Sequence, residues 1–381
     1  MKTQLKQTLV SSSILVMAFA SAYITGCSKV NFTAAPQDCG VNCTFVTTNG
    51  NYDYTYDVKA SKADILFVVD NSASMSPMQS QMGSKFANFL TQIQNLDYQI
   101  GVTTTDITSN TAPYNGQSPT PIGGQLVRFS DGTSVLNNKS VNVSSQFATA
   151  VTRQETLNCE NVVKTCPSTG CNNSAAYQAA CPSEDTRAIY AANLALGSNS
   201  SGLFRGADVP LNVVILSNAD ERAIGGNKVN GAPALTANDM PESLVANVQA
   251  QYPGKQLKVH SIIIKPGDTA CYNNQDQRSK GIDLFGWYGV DYNQLSSSTS
   301  GLAQSICNNS FDLSAIGASV NADDGSRDLA CNPKSGTLSV TLSPASGIGY
   351  SVITTVAGGS RLQFNSALPA GTSVRLSFSC Q

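Results

Sequence analysis

Histidine is nearly absent from this chain: His260 is the single one in 381 residues. Imidazole relays, Ser-His-Asp triads and His-rich metal sites are excluded on that ground. Charge is scarce too, at 13% of residues against roughly 25% in an average soluble chain. Lys and Arg total 23 against 25 Asp and Glu, for a net charge of −2, and no basic block stands out. Phosphate binding depends on concentrated positive charge, so nucleic acid is not an expected partner. There is no Gly-x-Ser-x-Gly nucleophile elbow and no Gly-rich phosphate loop. Catalysis is therefore not expected. What is present is 41% hydrophobic sequence, enough for a sizeable core, with a surface of Ser, Thr, Asn, Gln and Gly in place of ions.

Lys2 and Lys6 precede an apolar run at 14–22, too short to span a membrane as a permanent helix. It leads into Ile24-Thr25-Gly26-Cys27, which resembles the lipobox of bacterial lipoproteins. The resemblance implies cleavage of residues 1–26 and acylation of Cys27, which anchors the chain to a membrane through its N-terminal lipid. Ser28 after the cysteine implies, by the same analogy, an outer-membrane address. The alternative is an ordinary signal peptide with a chance cysteine. No later stretch is long and apolar enough to span. Setting Cys27 aside leaves ten of the eleven cysteines, an even number that suits an oxidising compartment. Proximity favours Cys39 with Cys43, Cys159 with Cys181, Cys166 with Cys171, Cys271 with Cys307, and Cys331 with Cys380. A zinc site within 159–181 is the competing idea, but spacings of six, four and nine residues form no paired Cys-x2-Cys knuckles.

Residues 27–62 read as a lipid-anchored tether. The run at 63–70 (ADILFVVD) suits a strand buried on both faces of a parallel sheet. A helix over 78–94 follows, then strands at 98–105 and 124–129, helices at 144–157 and 186–196, and a strand at 211–217. A helix at 241–251, a strand at 257–264 and a closing helix at 294–309 complete the unit, with a Cys-rich insertion at 158–182. This alternation predicts a doubly wound, mostly parallel sheet flanked by helices over 63–309. From 310 to 381 the helical period gives way to short alternating segments, which predict a small antiparallel β module.

Ligands gather at the carboxyl ends of strands in such sheets. The first strand ends in Asp70-Asn71-Ser72-Ala73-Ser74-Met75. One carboxylate and two hydroxyls, two residues apart on a loop, can converge on one hard cation. With 101–105 (GVTTT) on the second strand, the motif resembles the von Willebrand factor A (vWA) domain and its Asp-x-Ser-x-Ser metal-ion-dependent adhesion site (MIDAS). The resemblance covers 63–309, including 301–307 (GLAQSIC) as the last helix, and extends to bacterial lipoproteins with a C-terminal β module. It implies a Rossmann-like vWA fold and places Thr186 as a later ligand. The aspartate it implies after the fourth strand is replaced here by Asn218, which offers an oxygen but no charge. Asp220 or Glu221 could substitute if the loop bends.

The metal residues expected are thus Asp70, Ser72, Ser74, Thr186, Asn218 and Asp220, holding Mg2+ in preference to Mn2+ or Ca2+. The function implied is an envelope adhesion or protein-binding module that engages a partner's Asp or Glu. The alternative is a structural lipoprotein whose degenerate site binds no metal. Long loops at 107–123, 158–182 and 219–238 would surround the site. Asp106 reads as loop capping, His260 as a core residue, and Asp323, Asp324 and Asp328 as a solvated turn. Trp287 with Phe285, Tyr288 and Tyr292 is either packing beneath an insertion or a recognition patch.

Overall fold

The computed structural model describes residues 43–48, 50–57, 62–107, 123–166, 171, 174–183, 185–222, 234–277, 285–307, 311–321, 327–354, 360–365, 368 and 372–380. The leader, Cys27, Cys39, Asp323 and Asp324 lie outside the described residues, as do most of 107–123 and of 219–238.

Strands β1 (Cys43–Thr48) and β2 (Asn51–Asp57) come first, then β3 (Lys62–Val69), helix α1 (Ser76–Ile93), β4 (Asp97–Thr104) and β5 (Leu136–Asn137). Helices α2 (Val143–Val151), α3 (Gln154–Thr165), α4 (Ala175–Ala180) and α5 (Ala188–Ser198) lead to β6 (Leu211–Leu216). After α6 (Pro241–Gln251), β7 (Leu257–Ile263), α7 (Thr269–Gln275), α8 (Val290–Ser298) and β8 (Ala303–Ser305) comes α9 (Leu313–Asn321). The remaining strands are β9 (Arg327–Leu329), β10 (Ser339–Ser343), β11 (Tyr350–Thr354), β12 (Ser360–Phe364) and β13 (Ser373–Ser379).

The large sheet has the order β5-β4-β3-β6-β7-β8, parallel except for β5. It is the doubly wound, mostly parallel α/β sheet the alternation predicts. Along β3 the side chains divide by parity: Ile65, Phe67 and Val69 join α1, α2 and α9 on one face, Leu66 and Val68 join α5, α6 and α8 on the other. A strand buried on both faces has no polar side to show, hence its unbroken apolar run. From β3 the chain passes first to β4 on one flank and later to β6 on the other. That reversal opens a crevice at the carboxyl ends of β3 and β6, where such sheets bind ligands.

Several local expectations need correction. Residues 124–129 form no strand; they run beside β4 with Val127 N donating to Val102 O at 2.7 Å, and the short antiparallel β5 takes the edge. The helix expected at 144–157 breaks into α2 and α3. The closing helix ends at Ser298, and 303–305 is a strand. Ser300 has a positive φ of 57°, and a Cβ on Gly301 would lie 1.7 Å from Val259 O. The chain at 301 is thus pressed against β7, where it pairs rather than coils. The helical layer instead ends with α9, whose Leu313, Ile316 and Val320 enter the core beneath α1, beyond residue 309.

Residues 43–48 and 51–57, expected as tether, are strands. β2 pairs with β13 in a four-stranded antiparallel sheet, β1-β2-β13-β10, beside a three-stranded sheet, β11-β12-β9. Tyr54 and Tyr56 from β2 share one core with Leu362, Phe364, Leu376 and Phe378. The signal was the tyrosine alternation at 52, 54 and 56, a two-residue period that puts all three rings on one face. Cys331–Cys380 joins the ends of this module, and Cys159–Cys181, Cys166–Cys171 and Cys271–Cys307 staple the α/β part. These are four of the five pairs that proximity favours, and they leave no thiols for zinc at 159–181.

Candidate metal centre

Asp70 is the first residue past β3, with its N–H donating to Leu216 O at 2.9 Å. The chain then turns through a short 3-10 helix, Ala73–Met75. Asp70 Oδ1 accepts the Ser72 N–H at 2.9 Å, which fixes the turn, and Oδ2 accepts the Ser217 hydroxyl at 2.6 Å. The Ser72 and Ser74 hydroxyls lie 3.3 Å apart, and Ser74 Oγ donates to Asn218 Oδ1 at 3.2 Å. One carboxylate, two hydroxyls and one amide oxygen thus meet in the crevice between β3 and β6. Asp70 and Asn218 are buried, whereas Ser72 and Ser74 are partly exposed. All four donors are hard oxygens, the set that suits Mg2+, Mn2+ or Ca2+.

The electrostatics of Asp70 are unusual. Among the described residues no Lys or Arg forms an ion pair with it, while Asp64 and Asp185 each have two such partners and Asp239 has Arg187. Burial pushes its pKa up, and hydrogen bonds from Ser217 and Ser72 pull the other way. A buried carboxylate with only neutral donors is an uncompensated charge.

The Asn218 amide is held at both ends. Its Nδ2 donates to Gln275 Oε1 at 3.2 Å and to Phe285 O at 3.1 Å, so Oδ1 is the end that faces Ser74. An aspartate here would lose both donations. Asn218 is therefore built into the wall of the crevice, where it presents an oxygen without a charge.

Asp220 and Glu221 do not supply the missing charge. Asp220 accepts the Asp291 N–H at 2.9 and 3.2 Å and so caps the start of α8. Burial, with the neighbouring Asp291 charge, pushes its pKa up to about 7. Glu221 accepts the N–H groups of Ile189 and Tyr190 at 2.8 and 3.0 Å, and the Tyr292 hydroxyl at 3.0 Å. Its pKa is raised well above the usual range, again by burial first. The free N–H groups and dipole of a helix start attract carboxylates, and both side chains answer that pull. Thr186 lies at the same edge, since Arg187 N donates to Thr105 O and Thr105 N to Val69 O, both at 3.2 Å. It is buried, and its hydroxyl is not part of the Asp70–Ser72–Ser74–Asn218 chain of bonds.

Helix α3 holds the loop from outside. Gln79 Nε2 donates to Asp70 O and to Thr156 Oγ1, both at 2.9 Å, and Thr156 Oγ1 donates to Asn71 O at 2.7 Å. Ser76 Oγ donates to Glu160 Oε2 at 2.7 Å. Ala73 packs into the small core of the Cys-rich insertion, with Cys159, Val163, Tyr177 and Cys181. Ser217, Gln79, Thr156 and Gln275 had no signal in the sequence beyond a polar residue beside a predicted element. Tyr292 is fully buried; Asp106 accepts the Ser183 N–H at 3.3 Å, a loop-holding role. Among the described residues no three His, Cys, Asp or Glu gather to form a metal site, so a cation here would rest on hydroxyl and amide oxygens beside one carboxylate.

No known family profile matches the chain, and no curated protein matches it. Among solved structures it is similar to the pilus adhesin SpaC of Lactobacillus rhamnosus GG, at 12% identity over 88% of this chain and 42% of that one, TM-score 0.33. It is similar to the ArnB paralog VWA2 of Sulfolobus acidocaldarius, at 10% identity over 89% and 64%, TM-score 0.31. A third is the manganese-loaded TRAP protein of Plasmodium vivax, at 12% identity over 67% and 76%, TM-score 0.27. The chain spans less than half of the pilus adhesin and just under two thirds of VWA2. The fold assignment accordingly rests on the order and register of this chain's own strands.

Proposed function

We propose that this is a non-enzymatic, lipid-anchored module of the outer membrane that binds a protein partner through a divalent cation. Asp70, Ser72, Ser74 and Asn218 would hold the ion, with Thr186 at the margin. Bound there, the cation supplies an open coordination position for a partner's Asp or Glu. The observation that carries this reading is the buried Asp70 carboxylate, which has neutral donors, no Lys or Arg partner among the described residues, and partly exposed hydroxyls beside it. A positive charge from outside the chain compensates such a group. Mg2+ is favoured because it binds through few carboxylates and retains water. Calorimetry with Mg2+ and Mn2+ tests the reading: the chain binds both, and Ser72→Ala weakens binding without unfolding the domain.

A second reading, a structural lipoprotein with a silent site, is favoured by Asn218 and by the commitment of Asp220 to α8. Thermal unfolding separates the two. Stabilisation by millimolar Mg2+ supports the first reading, and an unchanged midpoint supports the second.

A further inference from the structure

The Asn71–Ser72 peptide unit is held at both ends. Its carbonyl accepts the Thr156 hydroxyl at 2.7 Å, and its N–H donates to Asp70 Oδ1 at 2.9 Å. A peptide unit is a rigid plane, so the direction of the Asp70 carboxylate is connected through it to Thr156 on α3. Gln79 strengthens the same connection. Its Nε2 donates to Asp70 O and to Thr156 Oγ1, and its Oε1 accepts the Arg153 N–H at 3.0 Å, just before α3. Gln79 and Thr156 are both fully buried. Glu155, held by Arg153 Nε at 2.7 Å, accepts Asn71 Nδ2 at 3.3 Å.

Helix α3 is itself fastened. Cys159, three residues after Thr156 and so on the same face of the helix, is bonded to Cys181. Ala73 of the cation loop packs against this pair with Val163 and Tyr177. From Cys181 the chain runs to Thr186, and it is pinned along the way. Ser183 N donates to Asp106 Oδ2 at 3.3 Å, and Asp185 N donates to Ser183 Oγ at 3.1 Å. Arg222 donates from Nη2 to Asp185 Oδ2 at 2.8 Å and from its N–H to Thr186 O at 2.7 Å. One covalent bond therefore joins the helix that orients Asp70 to the segment that carries Thr186.

We propose that the disulfide-bonded insertion is the positioning device of the cation centre. Thr156 and Gln79 aim the Asp70 carboxylate at its ion, and Cys159–Cys181 keeps α3 and the Thr186 segment in register. Opening this one disulfide weakens cation binding while the fold persists. The inference rests on the cation reading above. Hydrogen-bonded groups behind the ligands set how firmly a metal is held. Affinity for a hard cation also follows ligand charge and site rigidity. A centre with one carboxylate has little of the first and depends on the second. A brace with a purely structural role would lower stability and leave the ion's affinity alone.

The test uses the full-length chain, with Mn2+ as the probe and calorimetry as the readout. Thr156→Val removes the hydroxyl and lowers Mn2+ affinity about tenfold, and Thr156→Ser recovers most of the loss. Cys159→Ala/Cys181→Ala lowers affinity roughly threefold, less because Gln79 and Ser76 still hold α3. Cys331→Ala/Cys380→Ala removes a disulfide from the β module instead; it lowers the unfolding midpoint and leaves Mn2+ affinity unchanged. In the metal-free chain, exchange of the Ser72 amide hydrogen quickens in Thr156→Val and not in Thr156→Ser, which reports on the peptide unit without any ion. Unchanged Mn2+ affinity in either Thr156→Val or Cys159→Ala/Cys181→Ala overturns the proposal. So does an equal loss in Cys331→Ala/Cys380→Ala, or a Ser72 exchange rate that Thr156→Val does not move. In each of these cases Mn2+ binding by the wild type leaves the cation reading standing. No binding by the wild type ends both.

Discussion

Strand β3 has a buried aspartate near its start and another just past its end, and the two are treated in opposite ways. Asp64, near the amino end, is fully enclosed with two cations. Its Oδ2 accepts Lys255 Nζ at 2.8 Å and its Oδ1 accepts Arg205 Nε at 2.6 Å. Lys255 in turn donates to the carbonyls of Val209, Arg205 and Gly206. Asp70, six residues on, is equally buried but meets only hydroxyl and amide donors. One end of the sheet contains its own countercharge; the other lacks it among the described residues. The same residue type at the two ends of one strand is thus a structural lock at one end and a candidate ligand at the other, and the difference lies in what neighbouring strands contribute.

The largest expected effect is at the lock. Asp64→Ala strands Lys255 and Arg205 without their carboxylate and lowers stability by about 3–5 kcal/mol, read from urea unfolding. A loss under 1 kcal/mol would mean that the two ends of β3 do not differ as described. Next comes the cation: Mg2+ at a hundred times its dissociation constant raises stability by about 2.7 kcal/mol. EDTA reverses it, and Asp64 variants that still fold retain it.

A buried base sharpens the comparison from the other sign. His260 on β7 accepts the Leu302 N–H on Nδ1 at 3.1 Å, and its Nε2 has no partner among the described residues. Burial first, then the Lys258 charge, lowers its pKa to about 3. Between about pH 3 and 6.5 the unfolded chain carries a proton on this ring that the folded chain does not. Its stabilising contribution is therefore complete above pH 6.5 and is lost as pH falls, by up to about 1.4 kcal/mol per pH unit. Unfolding at pH 7.5 and pH 5 shows this as a steeper decline in the wild type than in His260→Gln. The smallest effect is Asp70→Asn in metal-free protein. Removing an uncompensated charge while keeping its shape changes stability by about 1 kcal/mol or less, by calorimetric unfolding.

The architecture was legible where one local pattern sufficed. The apolar runs at 63–70 and 211–217 could bury both faces only inside a parallel sheet, and Asp-x-Ser-x-Ser directly after the first marked the crevice. Legibility ended where tertiary packing decided. Residues 301–307 carry a helical pattern, yet Gly301 is pressed against β7 and the chain pairs instead. The tyrosines of β2 sit in a stretch whose polar composition hid a two-residue period. At the site, Asp70, Ser72, Ser74 and Asn218 do converge, while Asp220 accepts the Asp291 N–H at the start of α8. Ser217, Gln79 and Gln275 fix the geometry, but their roles follow from distances that no spacing in the chain encodes.

The most direct measurement is a calorimetric titration of Mn2+ into the full-length chain beside its Asp70→Asn variant. Saturable binding by the wild type and none by the variant is the expected result. No heat in either, or equal binding in both, would contradict the claim that Asp70 is a carboxylate whose countercharge comes from a bound cation.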